Sequence, residues 1–485
     1  MPPLPLHYRP ALDLAAALRR GECTASQLVA TSLSRIARFN PAINAVVVLQ
    51  AEAATERAAA ADQATARGEN WGPLHGVPIT VKDSFDVAGL PSTFGLAALR
   101  DNRAARHSLA VQRLLDAGAI LLGKTNVPPS LADWQSNNPI YGETRNPWNT
   151  GRTPGGSSGG SAAALTAGFS ALEIGSDIGG SIRMPAHFCG VFGHKPSFGL
   201  VPGRGHAQPG RTAPSDITVY GPLARSAGDL RLALDLLALP DPEAGVSWRL
   251  DRPREARRTA AGFRIAIVPN DAEFPVDAGV EAALRDAAAS LRRAGATVEE
   301  ARPDFGSRHA YETYLTLLRG ATSSRQSDAE FAASLAEAAA LDPADRSYRA
   351  LLARGNTLFH RDWLRAQQHR HDLIARWDRF FESYDALLCP VASTAAFPLV
   401  RDVPKHARTV TVSGRQEPSA NDYFWLGLPS VSYLPATTVP LALSDEGLPI
   451  GAQIIAPFGH DDRCIALAEI LEAVHHGFVP PPDVV

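Results

Sequence analysis

The feature that most constrains this chain is a recurring order in which a short amphipathic helix, closed by glycine, runs straight into an apolar strand. Ser108 to Gly118 supplies an N-cap serine, apolar Leu109, Val111, Leu114 and Leu115, and a terminal glycine, and Ile120-Leu121-Leu122 follows as a strand. The grammar returns at Phe263 to Val268 (strand), Asp277 to Ala294 (helix, stopped by Gly295) and Ala296 to Val298 (strand). Helices alternating with strands bury their apolar stripes on the faces of a sheet, so the expected class is α/β. The first 70 residues read as an outer layer of helices, with Leu12 to Leu18 mostly apolar and Thr24-x-x-Gln27 forming a capping-box pattern. Residues of about 308 to 383 read as a helical cover or insertion, after which Ala386 to Cys389 resumes a buried strand. Pro240 to Arg258 is the best linker candidate, yet no repeat or low-complexity segment marks a boundary, and one unit with helical additions is expected.

Composition removes several function classes. A 485-residue chain that is 45% hydrophobic and 20% charged can bury a large core. With a net charge of −3 it has no sequence-independent attraction to nucleic acid or anionic membrane, so neither is an expected partner. Residues 1–11 show no basic region followed by an apolar run, and no stretch approaches 18 uncharged apolar residues, which makes a cytoplasmic protein the default expectation. Cys23, Cys189, Cys389 and Cys464 are far apart, and His369 and His371 point to different faces of a helix, so no disulfide framework, metal site or cofactor is expected.

Of the 47 basic residues only Lys82, Lys124, Lys195 and Lys405 are lysines. A lysine amine can be driven neutral by burial and a guanidinium cannot, so the positions that keep lysine in an arginine-rich chain are informative. Lys82 ends Val77-Pro-Ile-Thr-Val-Lys82, a β-branched run that reads as a buried strand, where either an ion-paired lysine or a base is admissible. Two literal motif matches mislead. Gly118-x-x-x-x-Gly123-Lys124-Thr125 fits a phosphate-binding loop, but a helix precedes it, Ala-Ile-Leu-Leu fills it as a strand, and Asn126-Val127-Pro128-Pro129 cannot easily continue a helix. Lys124 is therefore expected to be structural. Ser157 and Ser158 both satisfy GxSxG, but the residues from Asn146 to Pro154 are loop chemistry, without the strand that a nucleophile elbow requires.

The loop itself, Gly155 to Ser161, packs four glycines and three serines before Ala162-Ala163-Ala164-Leu165 opens a helix, and a flexible linker would hardly lie between core elements. Leu172 to Asp177 runs as a strand into Ile178-Gly-Gly-Ser181, where the N–H groups of Ile178, Gly179, Gly180 and Ser181 are candidates for an oxyanion hole. Serine at its own pKa is a poor nucleophile, and His187, His194 and Lys82 are the candidate bases.

Through His75-Gly-Val-Pro-Ile-Thr-Val-Lys82-Asp83, Gly123-Lys-Thr-Asn126, the Gly155 to Ser161 loop and Gly175-Ser-Asp-Ile-Gly-Gly-Ser-Ile-Arg-Met-Pro185, the chain resembles the amidase signature family of serine hydrolases. The match is dense over about 72–235, returns at Gly427-Leu-Pro429 and Gly447 to Gln453, and is weak over 236–415. Ser157 and Ser181 also stand 24 residues apart, as in the family. The resemblance implies one α/β domain over 1–485 with a large mixed central sheet wrapped by helices. It implies a Ser-cisSer-Lys triad in which Lys82 is the base, Ser157 the relay held by a cis peptide bond and Ser181 the acyl-forming nucleophile. Ser158, Asp177 and Arg183 occupy supporting family positions, and Leu131 matches an acyl-pocket position of the fatty acid amide hydrolases. No N-terminal membrane helix is visible, so a long-chain lipid amide is not implied. Homodimers are common in such families, and the sequence identifies no interface.

The leading expectation is hydrolysis of a small or medium amide, with esters and carbamates as further substrates. The rival within the resemblance is the glutamine-hydrolysing subunit of a tRNA-dependent amidotransferase. A nucleotide-binding ATPase rests only on Gly118 to Thr125, and a catalytically dead binding protein rests on nothing, because every expected catalytic residue is present. Trp134, Tyr141, Tyr423, Phe424 and Trp425 are candidates to line the substrate pocket, with core packing the commoner role for such residues.

Overall fold

The computed structural model describes residues 4–482; positions 1–3 of the N-terminal stretch lie outside the described residues. Helices α1 (Ala11–Arg19), α2 (Ala25–Ile43) and α3 (Ala51–Ala66) form at the N-terminus, and the expected capping box is present, with Thr24 accepting from the Gln27 N–H. The all-helical reading of the first 70 residues is corrected by β1 (Val46–Leu49), which pairs antiparallel with β3 (Ile120–Thr125) at one edge of the main sheet. Four residues rich in β-branched valine between two helices are enough to make an edge strand.

The remaining strands of that sheet are β2 (Pro78–Lys82), β4 (Leu172–Asp177), β5 (Phe192–Lys195), β6 (Val219–Ala224), β7 (Arg264–Ile267), β8 (Thr297–Glu300), β9 (Ala386–Pro390), β10 (Ala436–Leu443) and β11 (Pro449–Ile455). Their spatial order is β1-β3-β2-β4-β6-β5-β10-β11-β9-β7-β8, eleven strands in one mixed sheet. The pairs β2/β3, β2/β4, β7/β8 and β7/β9 run parallel, and β10 and β11 form an antiparallel hairpin in the middle. Every residue of β2, β3 and β4 is buried, as expected of strands covered on both faces.

Helix α4 (Leu109–Asp116) is capped by Ser108 and delivers the chain into β3, so the phosphate-loop match is a helix end followed by a strand. Helix α5 (Gly159–Thr166) starts earlier than expected and takes Gly159, Gly160 and Ser161 into its first turn. A Cβ at Gly160 would lie 2.3 Å from the Asn126 amide nitrogen, so this helix sits closer to the chain beyond β3 than any larger residue permits. Helices α6 (Arg183–Cys189), α7 (Ala227–Leu237) and α8 (Ala278–Arg293) follow in chain order, α7 packing on β6 and α8 on β9 and β11. The stretch expected as a linker is irregular apart from one turn at Ala244–Val246, and ion pairs from Arg252 to Asp235 and from Arg463 to Glu255 fasten it to the body.

The expected helical cover is α9 (Ser307–Thr322), α10 (Asp328–Ala340), α11 (Tyr348–Asn356) and α12 (His360–Phe381), with α9 packed against α11, α12 and α13 (Asp422–Val431). Helix α14 (Asp461–Val474) packs on α7 and β10. Among the described residues no helix is long and apolar enough to cross a membrane.

Candidate active site

Lys82 ends β2 and Asp177 ends the parallel neighbour β4, so both lie at the carboxyl ends of parallel strands, where open α/β sheets present their chemistry. Lys82 is fully buried. Its Nζ lies 2.7 Å from Ser157 Oγ, 3.0 Å from Ser176 Oγ and 3.4 Å from the Ser176 carbonyl oxygen. Burial pushes the amine down to about 7, against the opposing pull of Asp177 and Glu173. An amine in that state can accept a proton from a hydroxyl beside it at neutral pH. Ser176 is a contact that sequence reasoning missed; a hydroxyl directly before Asp177 was its only signal.

Ser157 follows a cis Gly156–Ser157 peptide bond. A Cβ at Gly156 would stand 2.3 Å from the Asp133 carbonyl oxygen, so only glycine fits. No strand leads into this loop, which removes the nucleophile-elbow reading. The Ser158 N–H donates to the Ser181 carbonyl at 3.1 Å and ties the loop carrying Ser157 to the loop carrying Ser181.

Four donors fix the peptide planes of the second loop. Tyr314 Oη donates to the Ile178 carbonyl (2.7 Å), Trp134 Nε1 to that of Gly179 (2.9 Å), the Met184 N–H to that of Gly180 (2.8 Å) and the Ser158 N–H to that of Ser181 (3.1 Å). In a trans peptide each N–H points away from the preceding carbonyl, so pinning the carbonyls aims the N–H groups as well. Those of Gly180 (2.9 Å) and Ile182 (3.1 Å) turn to the Asp177 carboxylate. The structure thus departs from the expected donor set at Gly180, whose N–H is taken by Asp177. Ile178, Gly179 and Ser181 remain as candidate donors.

Asp177 also takes Arg183 Nε (3.1 Å) and Nη2 (3.0 Å). Burial alone would raise the Asp177 carboxyl, but Arg183 beside it holds it below its ordinary value. Arg183 spends its remaining donors on the Leu426 carbonyl, Gln453 Oε1 and Ser430 Oγ, each at 2.9 Å. A buried ion pair survives desolvation only when its hydrogen bonds are filled in this way. The result is a clamp from the Ser181 loop to α13 and β11.

Ser181 borders a cavity of about 230 Å³ whose wall includes Leu131, Trp134, Ile178, Gly179, Leu318 and Tyr423. Leu131 and the neighbouring Ser130 on this wall both hold left-handed backbone, at φ of 59° and 52°. Strain of this kind concentrates at ligand sites. Of the five aromatic candidates Trp134 and Tyr423 line the cavity; Phe424 stacks on Phe274, Trp425 is core, and Tyr141 lies outside the lining. Both candidate histidine bases are committed elsewhere, His187 to Gly451 and Thr394, and His194 to Thr437 and Asp461. Lys124 is structural as expected: it faces Asp83 at 3.8 Å and bonds to Ser92 Oγ and the Pro91 carbonyl.

Residues 27–465 match the family model described as Amidase. The chain is 35% identical over 474 residues to an indoleacetamide hydrolase of Bradyrhizobium diazoefficiens, covering 95% of this chain and 86% of that one. It is 33% identical over 484 residues to an acylamidase of Rhodococcus erythropolis, covering 97% of this chain and 96% of that one. A component of the glutamyl-tRNA(Gln) amidotransferase of Chloroflexus aggregans is 34% identical over 491 residues, with coverage of 93% and 94%. Among solved structures, a bacterial aryl acylamidase of the amidase signature family superposes with a TM-score of 0.82 at 27% identity, covering 98% of this chain and 97% of that chain. With a family match across nearly its whole length and the same mixed-sheet architecture, the chain belongs to the amidase family.

Proposed function

We propose that this amidase cleaves the carbon–nitrogen bond of a small-molecule amide through an acyl-enzyme on Ser181, with Lys82 and Ser157 as its proton path. The observation that carries the reading is the buried Lys82 amine held 2.7 Å from Ser157 Oγ. Neutral Lys82 takes the Ser157 proton as Ser157 takes that of Ser181, and Ser181 Oγ attacks the carbonyl carbon. The oxyanion that forms draws on the N–H groups of Gly179 and Ser181, whose peptide planes are already fixed, so little reorganisation is needed. The proton returns through Ser157 to the leaving nitrogen, the amine departs, and water then hydrolyses the ester by the same path. Asp177 and Arg183 act as positioning residues for the loop. The hydrolase and acylamidase relatives direct the first assays to arylacetamides and anilides, and the amidotransferase relative adds free glutamine.

The test is a fluorophosphonate probe with peptide mapping, run beside a panel of indole-3-acetamide, acetanilide and glutamine. Label on Ser181, lost in Ser181→Ala, is expected, together with turnover of an aryl or acyl amide. Label in the 155–161 loop instead would overturn the assignment, and turnover of glutamine alone would favour the amidotransferase reading.

A further inference from the structure

Three side-chain cations face the cavity that Ser181 borders: Arg319 near the end of α9, Arg325 just beyond it and Lys405. Many arginines of the molecule meet acids, as Arg183 meets Asp177, Arg370 meets Asp216 and Arg408 meets Asp133, while others, Arg225 and Arg113 among them, spend their donors on backbone carbonyls outside this cavity. The three cavity cations meet only neutral acceptors among the described residues. Arg319 donates to the phenol oxygens of Tyr348 (2.5 Å) and Tyr423 (3.2 Å), while its Nε is buried without a partner. Arg325 donates to the Ser130 carbonyl at 3.1 Å, and Lys405 to the Ala132 carbonyl at 2.6 Å.

Carboxylates on the same wall do not balance them. Both oxygens of Asp133 are taken by Arg408 at 2.8 Å, which leaves Glu330, ionised and bonded through Oε2 to the Ser327 N–H and hydroxyl, as one carboxylate against three cations. Burial would raise the Tyr423 phenol, yet Lys405 and Arg319 beside it lower it. Cations held in a partly desolvated wall without a counter-charge are costly unless a ligand supplies one. Leu131, Trp134, Leu318 and Leu352 provide the apolar surface between.

We propose that the cavity selects amides whose acyl part carries a carboxylate, held by Arg325 with Arg319 and Lys405, while the apolar wall takes the ring or chain between. This rests on the reading of Ser181 as the nucleophile at the cavity edge. Guanidinium matches a carboxylate with two parallel donors, which an ammonium cannot do, so Arg325 carries more of the discrimination than Lys405.

The test uses the full chain with Ser181→Ala, which leaves the cavity in place without turnover. It is titrated calorimetrically with 4-carboxybenzamide and with 4-nitrobenzamide, a neutral ligand of nearly the same shape. The carboxylate is expected to bind at least about tenfold more tightly, with the gap narrowing as salt is raised. Adding Arg325→Met should shrink the gap several-fold and Arg325→Lys should shrink it less. Lys405→Met, on the cavity rim, provides the same comparison should Arg325→Met fail to fold by circular dichroism. Equal affinities, no measurable binding of the carboxylate at millimolar concentration, or a gap that survives the charge-removing variants would each overturn the proposal. Failure of the amidase reading would show separately, as no fluorophosphonate label on Ser181 in the unmodified protein.

Discussion

Replacing Lys82 by methionine should abolish turnover and at the same time make the protein more stable. The buried amine is pushed from 10.5 down to about 7. That displacement corresponds to about 5 kcal/mol of preference for the neutral form, which the folded protein must meet by shedding a proton that the unfolded chain keeps. Between pH 10.5 and pH 7 the unfolded chain binds the extra proton, so the penalty is absent above pH 10.5, grows as pH falls and is constant below about 7. Lys82→Met removes the penalty and loses the hydrogen bonds to Ser157 and Ser176, each worth about 1 kcal/mol net. At pH 7 the variant should therefore be more stable by about 2 to 3 kcal/mol, and the advantage should fall by about 1.4 kcal/mol per pH unit above that. Denaturant titrations of both proteins at pH 7, 8 and 9 measure this directly, and taking the difference between them cancels the buried groups that are not coupled to Lys82. For the active protein, kcat/KM should decline tenfold per pH unit below about 7 as Lys82 gains a proton. Lys82→Arg, which cannot shed its charge, should be as inactive as Lys82→Met. A stability difference that does not change with pH, or substantial activity in Lys82→Arg, would refute the neutral-amine argument.

Three further outcomes follow from other buried groups. Burial pushes Glu173 up to about 8 against the hydroxyls of Thr80, Ser161 and Thr125. It therefore destabilises the fold increasingly as pH rises from about 4.5 to 8, and Glu173→Gln should raise the Tm at pH 8 and leave it unchanged at pH 4. Asp177→Asn strands the buried Arg183 charge and should cost about 3 to 5 kcal/mol in thermal or chemical unfolding, with fluorophosphonate labelling slowed because the Gly180 and Ile182 N–H groups are released. Calorimetry with ATP and Mg²⁺ should show no binding, since the Lys124 amine is buried against Ser92 and Asp83; a micromolar Kd would mean that the 118–125 segment leaves its strand in solution.

Lys82 was legible because an arginine-rich chain kept one of four lysines at the end of an apolar, β-branched run, and a strand of that kind buries whatever terminates it. The α/β grammar was legible because caps and glycines punctuate it locally: Ser108 and Thr24 act in the structure as the sequence predicts. Strand β1 was missed because its length is set by the edge it pairs with, and four residues between helices show no period of their own. The capture of the Gly180 N–H by Asp177 could not be read, since it depends on which way successive peptide planes turn, and that is decided by Tyr314 and Trp134 from distant segments. The cavity cations were invisible for a similar reason. Among 43 arginines, sequence alone does not show which ones fold away from every carboxylate.

The position of the β10–β11 hairpin sets a timetable for the molecule. It is the last part of the sheet to leave the ribosome, yet it stands between β5 and β9 and joins strands drawn from residues 46–224 to strands drawn from residues 264–390. Until it emerges, the nascent chain holds two half-sheets, each with an open edge of unsatisfied backbone that invites pairing with a neighbouring chain. Gln453, which grips Arg183, arrives on the same hairpin. A chain stalled or clipped before residue 449 already contains Lys82, Ser157 and Ser181 and still lacks Gln453, one of the three groups that hold Arg183 beside the Ser181 loop. Newly made copies should thus stay inert and chaperone-dependent until synthesis is complete, and the first appearance of activity would time the closing of the sheet.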